Sequence, residues 1–497
     1  MQADKRICLT GGYTWPGRSA VMARGGILIA GRRISDLLAP HEEEEASKSA
    51  DEIIDVSGML IMPPLVNGHV HSTSTLLRGT ENSLPLELWS YYAIGYGHGF
   101  GEEAARYAAL TTNIEMIRNG IGGYIDHFPQ TRFVNAALSA HVQSGLRIGF
   151  APFFADLWDE DILGIPLDRD TVGRLTPRAP RLSSEIKSTF TDLTAEIRSS
   201  GEGRVALLAG PNSPQRCSDD LWSLWKDLQD TFHIGSHTHL LETYPQFKAA
   251  RRRWPGGLLK ALADAGLLND SLSVGHAIWL DQSDRELLAA HGVTVSFNPI
   301  SNGMLGSGQK RIRDDLDAGL NVALGTDCSN TGGRHDLFEV MRHMLISGRQ
   351  PGSDFDRWLT PEEVLDAATT SGARAIGATS ATGRLEAGGP ADILLLDLET
   401  NGLATSSKTL NSVVVHADPR NVRSLMIDGR WLLRDGTIVV LDEASVLREA
   451  KLVAENVRMD ASERLRDIRT FHETYATWQR DMFSGRCCPT CGRLSCD

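Results

Sequence analysis

The sequence predicts an α/β protein: a (β/α)8 TIM-type barrel with a small discontinuous β-sandwich domain built from both chain ends. Within residues 63–385, apolar runs typical of strands alternate with segments of helical periodicity, an order that indicates parallel strands joined by helical crossovers. Within residues 1–62 and 386–442, short strand-like runs follow one another between glycines. We therefore expect these two outer segments to form one small domain beside the barrel.

Strand-like runs of the small domain occur on both sides of the barrel segment. After Gly383 the pattern returns to short apolar runs, so the chain is expected to leave the barrel there and to rejoin the N-terminal sheet. The runs lie at residues 6–9, 26–30, 53–56, 391–398, 412–416 and 422–433.

One helix and the strand that follows it show the repeating unit of the barrel. Tyr107, Ile114 and Ile117 lie at helical spacing, and Gly120 stands where a helix C-cap is expected. Residues 123–126 then have the composition of the next strand.

A second helix is predicted to begin at Thr360, which would act as its N-cap. Pro361 occupies the first helical position, and Glu363 completes a capping box with Thr360. Beyond the small domain, residues 443–497 are predicted to be a C-terminal helical extension with a cysteine-rich tail, because residues 443–483 are charged with a helical period.

Net charge restricts the kinds of partner. The chain of 497 residues carries a formal net charge of −13, whereas nucleic acids and anionic membrane surfaces attract a positively charged footprint. A small-molecule substrate is therefore expected, with neither nucleic acid nor membrane as a partner.

The sequence gives no sign of export. No apolar stretch of signal-peptide type follows Met1, and no run reaches the roughly 18 apolar residues of a spanning helix. Cys8, Cys217 and Cys328 are scattered in a way that does not suggest a secreted disulfide framework. The expected location is the cytoplasm.

Two histidines end the first apolar strand of the barrel segment. His69 and His71 stand two residues apart, so the period of a strand aims both side chains the same way. Two converging imidazoles suit a divalent transition metal, although a pair alone is a weak signal, since two histidines also occur as core or surface residues.

Three further strand ends carry residues of the same chemistry. His239 ends one strand and Glu242 follows it by three residues, His276 ends the next, and Asp327 follows a fourth. Because the carboxyl ends of barrel strands meet at one rim, we expect these side chains to converge on a polar site. Asp126 and His127 end another strand and either contact substrate or make a structural hydrogen bond.

An ordered series of short motifs runs nearly from end to end of the chain: PLVNGHVH (64–71), LLRG (76–79), GPNSP (210–214), HLLET (239–243), NPISN (298–302), LGSG (305–308), GTD (325–327) and GRLEAG (383–388). This series resembles the amidohydrolase superfamily, in its branch of aminohydrolases and chlorohydrolases related to the triazine hydrolases and the adenosylhomocysteine and methylthioadenosine deaminases. The resemblance is specific for the superfamily but not for a substrate.

The resemblance implies a metal site and a catalytic set. His69, His71, His239 and Asp327 would hold one divalent metal ion, with zinc favoured over iron. Glu242 would be the proton shuttle, while His276 would orient the water or polarise the substrate, and Asp327 would take part in catalysis as well. His237 is the alternative to His239, which we prefer because its spacing to Glu242 matches the family. A homodimer or higher homo-oligomer is the usual expectation.

Elementary chemistry leads to the same reaction class. A divalent metal lowers the pKa of its bound water toward about 7, and Glu242 is close enough in sequence to move protons. We expect a metal-dependent hydrolase that acts on C–N bonds other than peptide bonds, by hydrolytic deamination of a small heteroaromatic or cyclic amidine substrate. The alternative is hydrolysis of a urea, carbamate or amide C–N bond, or of a ring chloride, at the same site. A catalytically silent scaffold would have lost ligands, whereas all four persist.

Substrate contacts are expected from Trp89, His98, Asn212 and Asn302. Other aromatic side chains that fall in segments able to roof the pocket are Tyr92, Phe153, Phe154 and Trp158. Adenosine-type relatives carry histidine where Asn212 stands and arginines after the second and third strands, but residues 148–156 contain none. We therefore expect a free base or a similarly compact ring instead of a nucleoside.

The tail contains four closely spaced cysteines. Four thiolates can hold a structural zinc ion, and a reducible tail without metal is the alternative. The cysteines are Cys487, Cys488, Cys491 and Cys496.

Overall fold

A computed structural model of the protein describes residues 5–18, 20–175, 181–200, 203–349, 352–377 and 382–484. The strands in chain order are β1 (Arg6–Thr10), β2 (Tyr13–Thr14), β3 (Ala23–Arg24), β4 (Gly26–Ala30), β5 (Arg33–Leu38), β6 (Glu52–Asp55), β7 (Met59–Met62), β8 (Leu65–Val70), β9 (Ile121–Phe128), β10 (Arg147–Phe154), β11 (Val205–Pro211), β12 (Gly235–Leu240), β13 (Leu272–His276), β14 (Thr294–Phe297), β15 (Asn321–Leu324), β16 (Ile393–Asp397), β17 (Val422–Ile427), β18 (Arg430–Arg434) and β19 (Thr437–Ile438).

Helices fill most of the intervals between these strands. In chain order they are α1 (Glu43–Ser47), α2 (Leu86–Gly97), α3 (Glu102–Arg118), α4 (Val134–Ser144), α5 (Arg169–Leu175), α6 (Ser183–Ser200), α7 (Asp219–Phe232), α8 (Tyr244–Arg253), α9 (Leu258–Asp264), α10 (Gln282–Ala290), α11 (Pro299–Met304), α12 (Ile312–Asp317), α13 (Leu337–Ser347), α14 (Pro361–Ala368), α15 (Thr370–Ala375), α16 (Leu410–His416), α17 (Glu443–Arg469) and α18 (His472–Phe483). Segments of 3-10 helix lie at Ser72–Leu77, Thr131–Phe133, Pro214–Arg216, Phe355–Arg357, Asn401–Leu403 and Pro419–Asn421, and a π-helical turn at Glu160–Gly164.

The predicted barrel is confirmed. Strands β8 to β15 form one parallel sheet in sequence order, with helices in the connections. A parallel bridge between Val70 and Asp327 brings the end of β8 to the segment after β15, so the first and last strands meet. The carboxyl ends of all eight strands therefore surround one rim.

The small domain is built as predicted from strands at both chain ends. One sheet has the order β5-β4-β1-β6, and the other has the order β19-β18-β17-β16-β7-β2-β3. Apolar side chains of both sheets share one buried cluster, as expected for a sandwich. They include Ile7, Leu9, Ile27 and Ile29 from the first sheet and Ile61, Ile393, Leu395 and Met426 from the second.

The strand predicted at residues 412–416 is wrong, because this segment belongs to helix α16. The run of three valines favours a strand by intrinsic propensity, but the side chain of Thr409 caps the helix by accepting a hydrogen bond from the backbone of Ser412. Leu410, Val413 and Val414 are buried at helical spacing. The N-cap and the burial of these side chains together outweigh the strand propensity of the valines.

The other local predictions are confirmed. Helix α3 ends at Arg118 and β9 follows at Ile121, and α14 begins with a complete capping box in which the side chains of Thr360 and Glu363 each accept from the other's backbone N–H. The C-terminal segment forms the helical pair α17 and α18. Among the described helices, none is long and apolar enough to cross a bilayer.

Candidate metal centre and active site

The four predicted metal ligands lie together at the carboxyl rim of the barrel. The Nε2 atom of His71 is 3.1 Å from Nε2 of His239 and 3.3 Å from Oδ1 of Asp327. The Nε2 atom of His69 is 3.4 Å from the same Oδ1. The side chains of His69 and Asp327 are 0% and 6% exposed, so the cluster is closed to bulk water on the side of the barrel core.

This cluster fits a divalent metal ion. Ligand atoms of His69, His71, His127 and His239 all lie within 4.8 Å of one another, as do those of His69, His276 and Asp327. Nε2 of His69 is buried without a hydrogen-bond partner among the described residues, which is costly unless a ligand satisfies it. Imidazole nitrogens with one carboxylate are a donor set typical of zinc or iron.

Protonation states of the cluster also suit a metal. Burial lowers the pKa of His69 to about 4 and holds the pKa of His239 well below its usual range, so both rings are neutral. Burial alone would raise the pKa of Asp327, but the imidazoles packed around its carboxyl group, that of His69 foremost, outweigh burial and hold this pKa well below the ordinary value. Neutral imidazoles and an ionised carboxylate are the forms that coordinate metal.

A second set of contacts orients the three imidazoles. Each predicted histidine ligand uses its Nδ1 atom for a contact away from the cluster centre and leaves its Nε2 atom facing it, an arrangement common around metal sites. The contacts are His69 Nδ1 with His237 Nε2 at 2.7 Å, His71 Nδ1 with the carbonyl of His127 at 2.5 Å, and His239 Nδ1 with the carbonyl of Asn212 at 2.6 Å.

His237 therefore lies behind His69 instead of facing the cluster centre. Its own Nδ1 contacts Ser273 Oγ at 2.7 Å, so both ring nitrogens are engaged. This geometry favours His239 over His237 as the ligand, in line with the spacing to Glu242.

His127, which the sequence indicated only as a substrate contact or a structural hydrogen bond, is a member of the cluster. Its ring is completely buried, with the ring centroid 4.7 Å from that of His239, and neither ring nitrogen has a hydrogen-bond partner among the described residues. The available signal was its position at the end of β9, where strand ends meet the rim. Of the two alternatives for Asp126 and His127, the structural hydrogen bond is made by Asp126, whose carboxylate accepts from Ser72, whereas the His127 side chain makes none with the residues that the structure describes.

Left-handed backbone occurs at the ends of three of the site strands. His276 and Asp327 have φ values of 68° and 60°, and Leu241, which precedes Glu242, has φ of 42°. Left-handed backbone is costly for residues with a side chain and persists where the surroundings enforce it, often at functional sites.

Glu242 and His276 form the second half of the site. Oε2 of Glu242 is 3.5 Å from Nε2 of His276, and Oε1 accepts a hydrogen bond from Ser307 Oγ at 2.9 Å. Burial raises the pKa of Glu242 to about 7; the charge of His276 opposes the rise and that of Asp327 adds to it. A carboxyl group with a pKa near neutrality can both accept and donate a proton.

A cavity of about 410 Å³ opens onto these residues. It is lined by His71, His239, Glu242, His276 and Asp327 at its base, which joins the metal cluster and the carboxyl group in one space. Its walls are largely apolar, as is usual for small-molecule sites. The aromatic members of the wall are Trp89, Tyr91, Phe100, Phe153, Phe154 and Trp158.

Three of the four predicted substrate contacts line this cavity: Trp89, His98 and Asn212. Asn302 does not. It lies near the end of β13, where its Oδ1 atom contacts Nδ1 of His276 at 2.8 Å, so its position fits the orientation of His276 instead of contact with substrate. Tyr92 is likewise absent from the cavity wall, and its hydroxyl contacts Nε2 of His472 at 2.8 Å.

Arginines are present where the sequence suggested none. Arg132, in the 3-10 helix that follows β9, lines the cavity, and so do Arg181 and Arg216. Arg216 donates to both oxygens of Asp159 at 2.7 and 2.5 Å and to Oδ1 of Asn212 at 2.7 Å. These arginines weaken the expectation against a nucleoside, which rested on the lack of arginine in residues 148–156 and on Asn212 at the position where adenosine-type relatives carry histidine.

The predicted cysteine site, formed by Cys487, Cys488, Cys491 and Cys496, lies outside the described residues.

Comparisons with known proteins agree with this architecture. The profile of the amidohydrolase family matches residues 60–432. A 5'-deoxyadenosine deaminase of Methanosarcina mazei is 30% identical over 436 residues, covering 87% of this chain and 94% of the relative. A 5-methylthioadenosine/S-adenosylhomocysteine deaminase of Pyrococcus horikoshii is 29% identical over 444 residues, covering 89% and 98%. The crystal structure of an adenosine deaminase from Xanthomonas campestris with bound zinc superposes with a TM-score of 0.81 at 23% identity, covering 92% of this chain and 99% of that one.

Proposed function

This chain belongs to the amidohydrolase family, and from that premise we propose that it is a metal-dependent hydrolase that deaminates a heteroaromatic or cyclic amidine substrate. The observation that carries the proposal is the buried cluster of His69, His71, His239 and Asp327 at the base of a cavity that also contains Glu242. A closed donor set beside a carboxyl group that titrates near neutrality suits the hydrolysis of a C–N bond.

In this proposal His69, His71, His239 and Asp327 hold one divalent ion, with Zn²⁺ preferred and Fe²⁺ as the alternative. Such an ion supplies Lewis acidity and lowers the pKa of bound water toward about 7. Asp327 keeps a second oxygen for the reaction, and Ser301 Oγ donates a hydrogen bond to it at 2.7 Å.

Glu242 is assigned the movement of protons. As a carboxylate it accepts a proton from the attacking water, and as a carboxylic acid it delivers that proton to the ring nitrogen or to the leaving amine. His276 lies 3.5 Å from Glu242 and 3.9 Å from Oδ2 of Asp327, a position from which it polarises the substrate or orients the water. Ammonia is the expected leaving group.

The substrate is expected to be an aminated ring that enters among the aromatic walls. The relatives named above act, by their names, on adenine-containing nucleosides, which supports a purine-like ring. The cavity of about 410 Å³ is in the range typical of drug-sized ligands, and Arg132 is at its wall. The free bases and the corresponding 5'-deoxynucleosides are therefore the two classes to compare.

A screen for ammonia release tests the proposal. Purified protein with measured zinc or iron content would be incubated with aminopurines, pterins, aminotriazines, cytosines and 5'-deoxyadenosine, with phenylureas and chlorotriazines as probes of the other leaving groups. We expect ammonia from at least one ring amine, loss of activity on prolonged chelation, and recovery on adding Zn²⁺. If no compound in the screen released ammonia while some released an amine or chloride, deamination would be contradicted and hydrolysis of another bond at the same site would be favoured.

A further inference from the structure

The C-terminal helices α17 and α18 pack against the helix that forms one wall of the cavity. Trp89 and His98, on or directly after α2, line the cavity, while Leu88 and Tyr92 of α2 belong to a buried cluster with α17 and α18. The approach is close: a Cβ atom on Gly99 would lie 2.8 Å from the carbonyl oxygen of Val457. The helical pair is therefore continuous with the wall of the site.

One buried carboxyl group connects this helical pair to the residue beside the proton shuttle. Glu87 of α2 is 3% exposed, and its Oε2 accepts a hydrogen bond from the hydroxyl of Tyr475 in α18 at 3.0 Å. Its Oε1 accepts from Thr243 Oγ1 at 2.5 Å. Thr243 directly follows Glu242, so three side chains join α18 to the shuttle segment.

Thr243 also fixes the turn that presents Glu242. It is the N-cap of α8, where its Oγ1 accepts from the backbone N–H of Gln246. The side chain of Gln246 in turn accepts from the backbone N–H of Glu242 at 3.0 Å. Leu241, which directly precedes Glu242, has a left-handed φ of 42°. This turn therefore needs contacts with other segments to hold its conformation.

A second contact from α18 reaches the same turn. The ring of Phe483 lies 5.4 Å from that of Tyr244, the first residue of α8, measured between centroids. The end of α18 thus contacts the segment next to Glu242 through an aromatic pair as well as through Tyr475 and Glu87.

From this geometry we infer that the C-terminal helical pair is a positioning element of the active site: Tyr475, acting through Glu87 and Thr243, fixes the turn that places the carboxyl group of Glu242. The inference rests on the proposed function only in taking Glu242 as the proton shuttle. Tyr475, Glu87 and Thr243 are positioning residues, since none of the three lines the cavity.

The chain offers a matched pair of tyrosines for the test. Tyr475→Phe removes the hydroxyl that donates to Glu87. Tyr92→Phe removes a hydroxyl that also links α2 to α18, because it contacts His472, but the Tyr92 hydroxyl makes no contact with Glu87 among the described residues. With metal content and melting temperature measured for each variant, we expect Tyr475→Phe to lower kcat by about tenfold with KM within about twofold, because small displacements of a reacting group are costly. Tyr92→Phe should leave kcat within about twofold.

Rescue and coupling distinguish positioning from general destabilisation. Glu87→Ala should lower kcat at least as much as Tyr475→Phe, and Glu87→Gln, which keeps polar atoms toward Thr243 and Tyr475, should restore most of it. In a Glu242→Gln background, Tyr475→Phe should cause no further loss, because residues that act through one another are not additive. Equal kcat values for Tyr475→Phe and Tyr92→Phe, or an undiminished loss in the Glu242→Gln background, would overturn the inference.

Crystal structures decide the matter without turnover. In Tyr475→Phe the Glu242 carboxyl group should be displaced or less ordered relative to wild type; an unchanged position in both structures contradicts the inference. Absence of ammonia release by the wild-type protein would instead contradict the proposed function, and the structural comparison would still decide the role of Tyr475.

Discussion

The backbone N–H of Asp327 donates a hydrogen bond to the carbonyl oxygen of His69 at 2.9 Å. This bond lies beside the bridge between Val70 and Asp327 that joins the first barrel strand to the segment after the last. Closure of the barrel and assembly of the proposed metal site therefore depend on the same backbone contacts, and the left-handed φ of Asp327 is held by them.

Asp327→Asn should empty the metal site while keeping the fold. Asparagine tolerates left-handed backbone at least as well as aspartate and retains the N–H bond to His69, but it removes the charge that binds a cation. We expect metal content to fall at least about tenfold and kcat/KM at least about 10³-fold, measured by elemental analysis and ammonia release.

Asp435→Asn is the matched control, because Asp435 also has a positive φ of 49° but is exposed and distant in the small domain. It should keep full metal content and activity. Retention of metal in Asp327→Asn would show that Asp327 is not a ligand.

His237→Gln should weaken metal binding without abolishing it. His237 contacts Nδ1 of His69 and so fixes that ring, and loss of such an orienting contact typically costs about 10- to 100-fold in metal affinity. A competition titration with a chelator gives the affinity, and kcat at saturating metal should change little. In His239→Gln, by contrast, saturating metal should not restore kcat. If saturating metal restored kcat in His239→Gln but not in His237→Gln, His237 would be the metal ligand and His239 the orienting residue.

Strand endings carried most of the information about the site. Parallel strands bring their carboxyl ends to one rim, so residues within a few positions after strands, such as His71 and Asp327, were expected to converge, and they do. Contacts that depend on three-dimensional distance could not be predicted from the sequence. They are the contact of His237 with His69, the place of His127 in the cluster, and the position of Asn302 near His276.

Local propensity succeeded or failed according to tertiary contacts. The capping box at Thr360 needs only neighbouring residues and was predicted correctly. The valine run in α16 was misassigned because its burial pattern follows contacts with distant elements. Arg132 was not predicted as a cavity residue because it stands in a single 3-10 turn after β9, whose direction the sequence pattern does not specify.

Thr360→Ala should destabilise the protein without changing its activity. Thr360 is exposed and caps α14 far along the chain from the proposed catalytic residues, and loss of a side-chain N-cap typically costs about 1 kcal/mol. The free energy of unfolding in urea should fall by about this amount, while kcat/KM stays unchanged. Thr360→Ser keeps the hydroxyl and should behave as wild type; equal destabilisation by serine would exclude the cap as the cause.

Glu242→Gln should separate metal binding from proton transfer. The amide preserves shape and the contact with Ser307 but cannot accept and return a proton, so we expect kcat to fall by about 10²- to 10⁴-fold with metal content unchanged. Ser307→Ala, which removes only the hydrogen bond, should cause a smaller loss. Near-normal turnover in Glu242→Gln would rule out its role as proton shuttle.

The pH dependence of kcat/KM should report the same carboxyl group. Burial raises the pKa of Glu242 to about 7, whereas a bound cation would lower it, so the acidic limb should lie between the ordinary value of 4.5 and about 7. Activity is lost as pH falls through this pKa, because the protonated carboxyl cannot accept a proton from water. Burial also raises the pKa of Glu160, another carboxyl group at the cavity wall, so Glu160→Gln is the control and should leave the acidic limb in place. The residual activity of Glu242→Gln should show no acidic limb in its pH profile. If that limb persisted in Glu242→Gln and shifted in Glu160→Gln, the group that titrates would be Glu160.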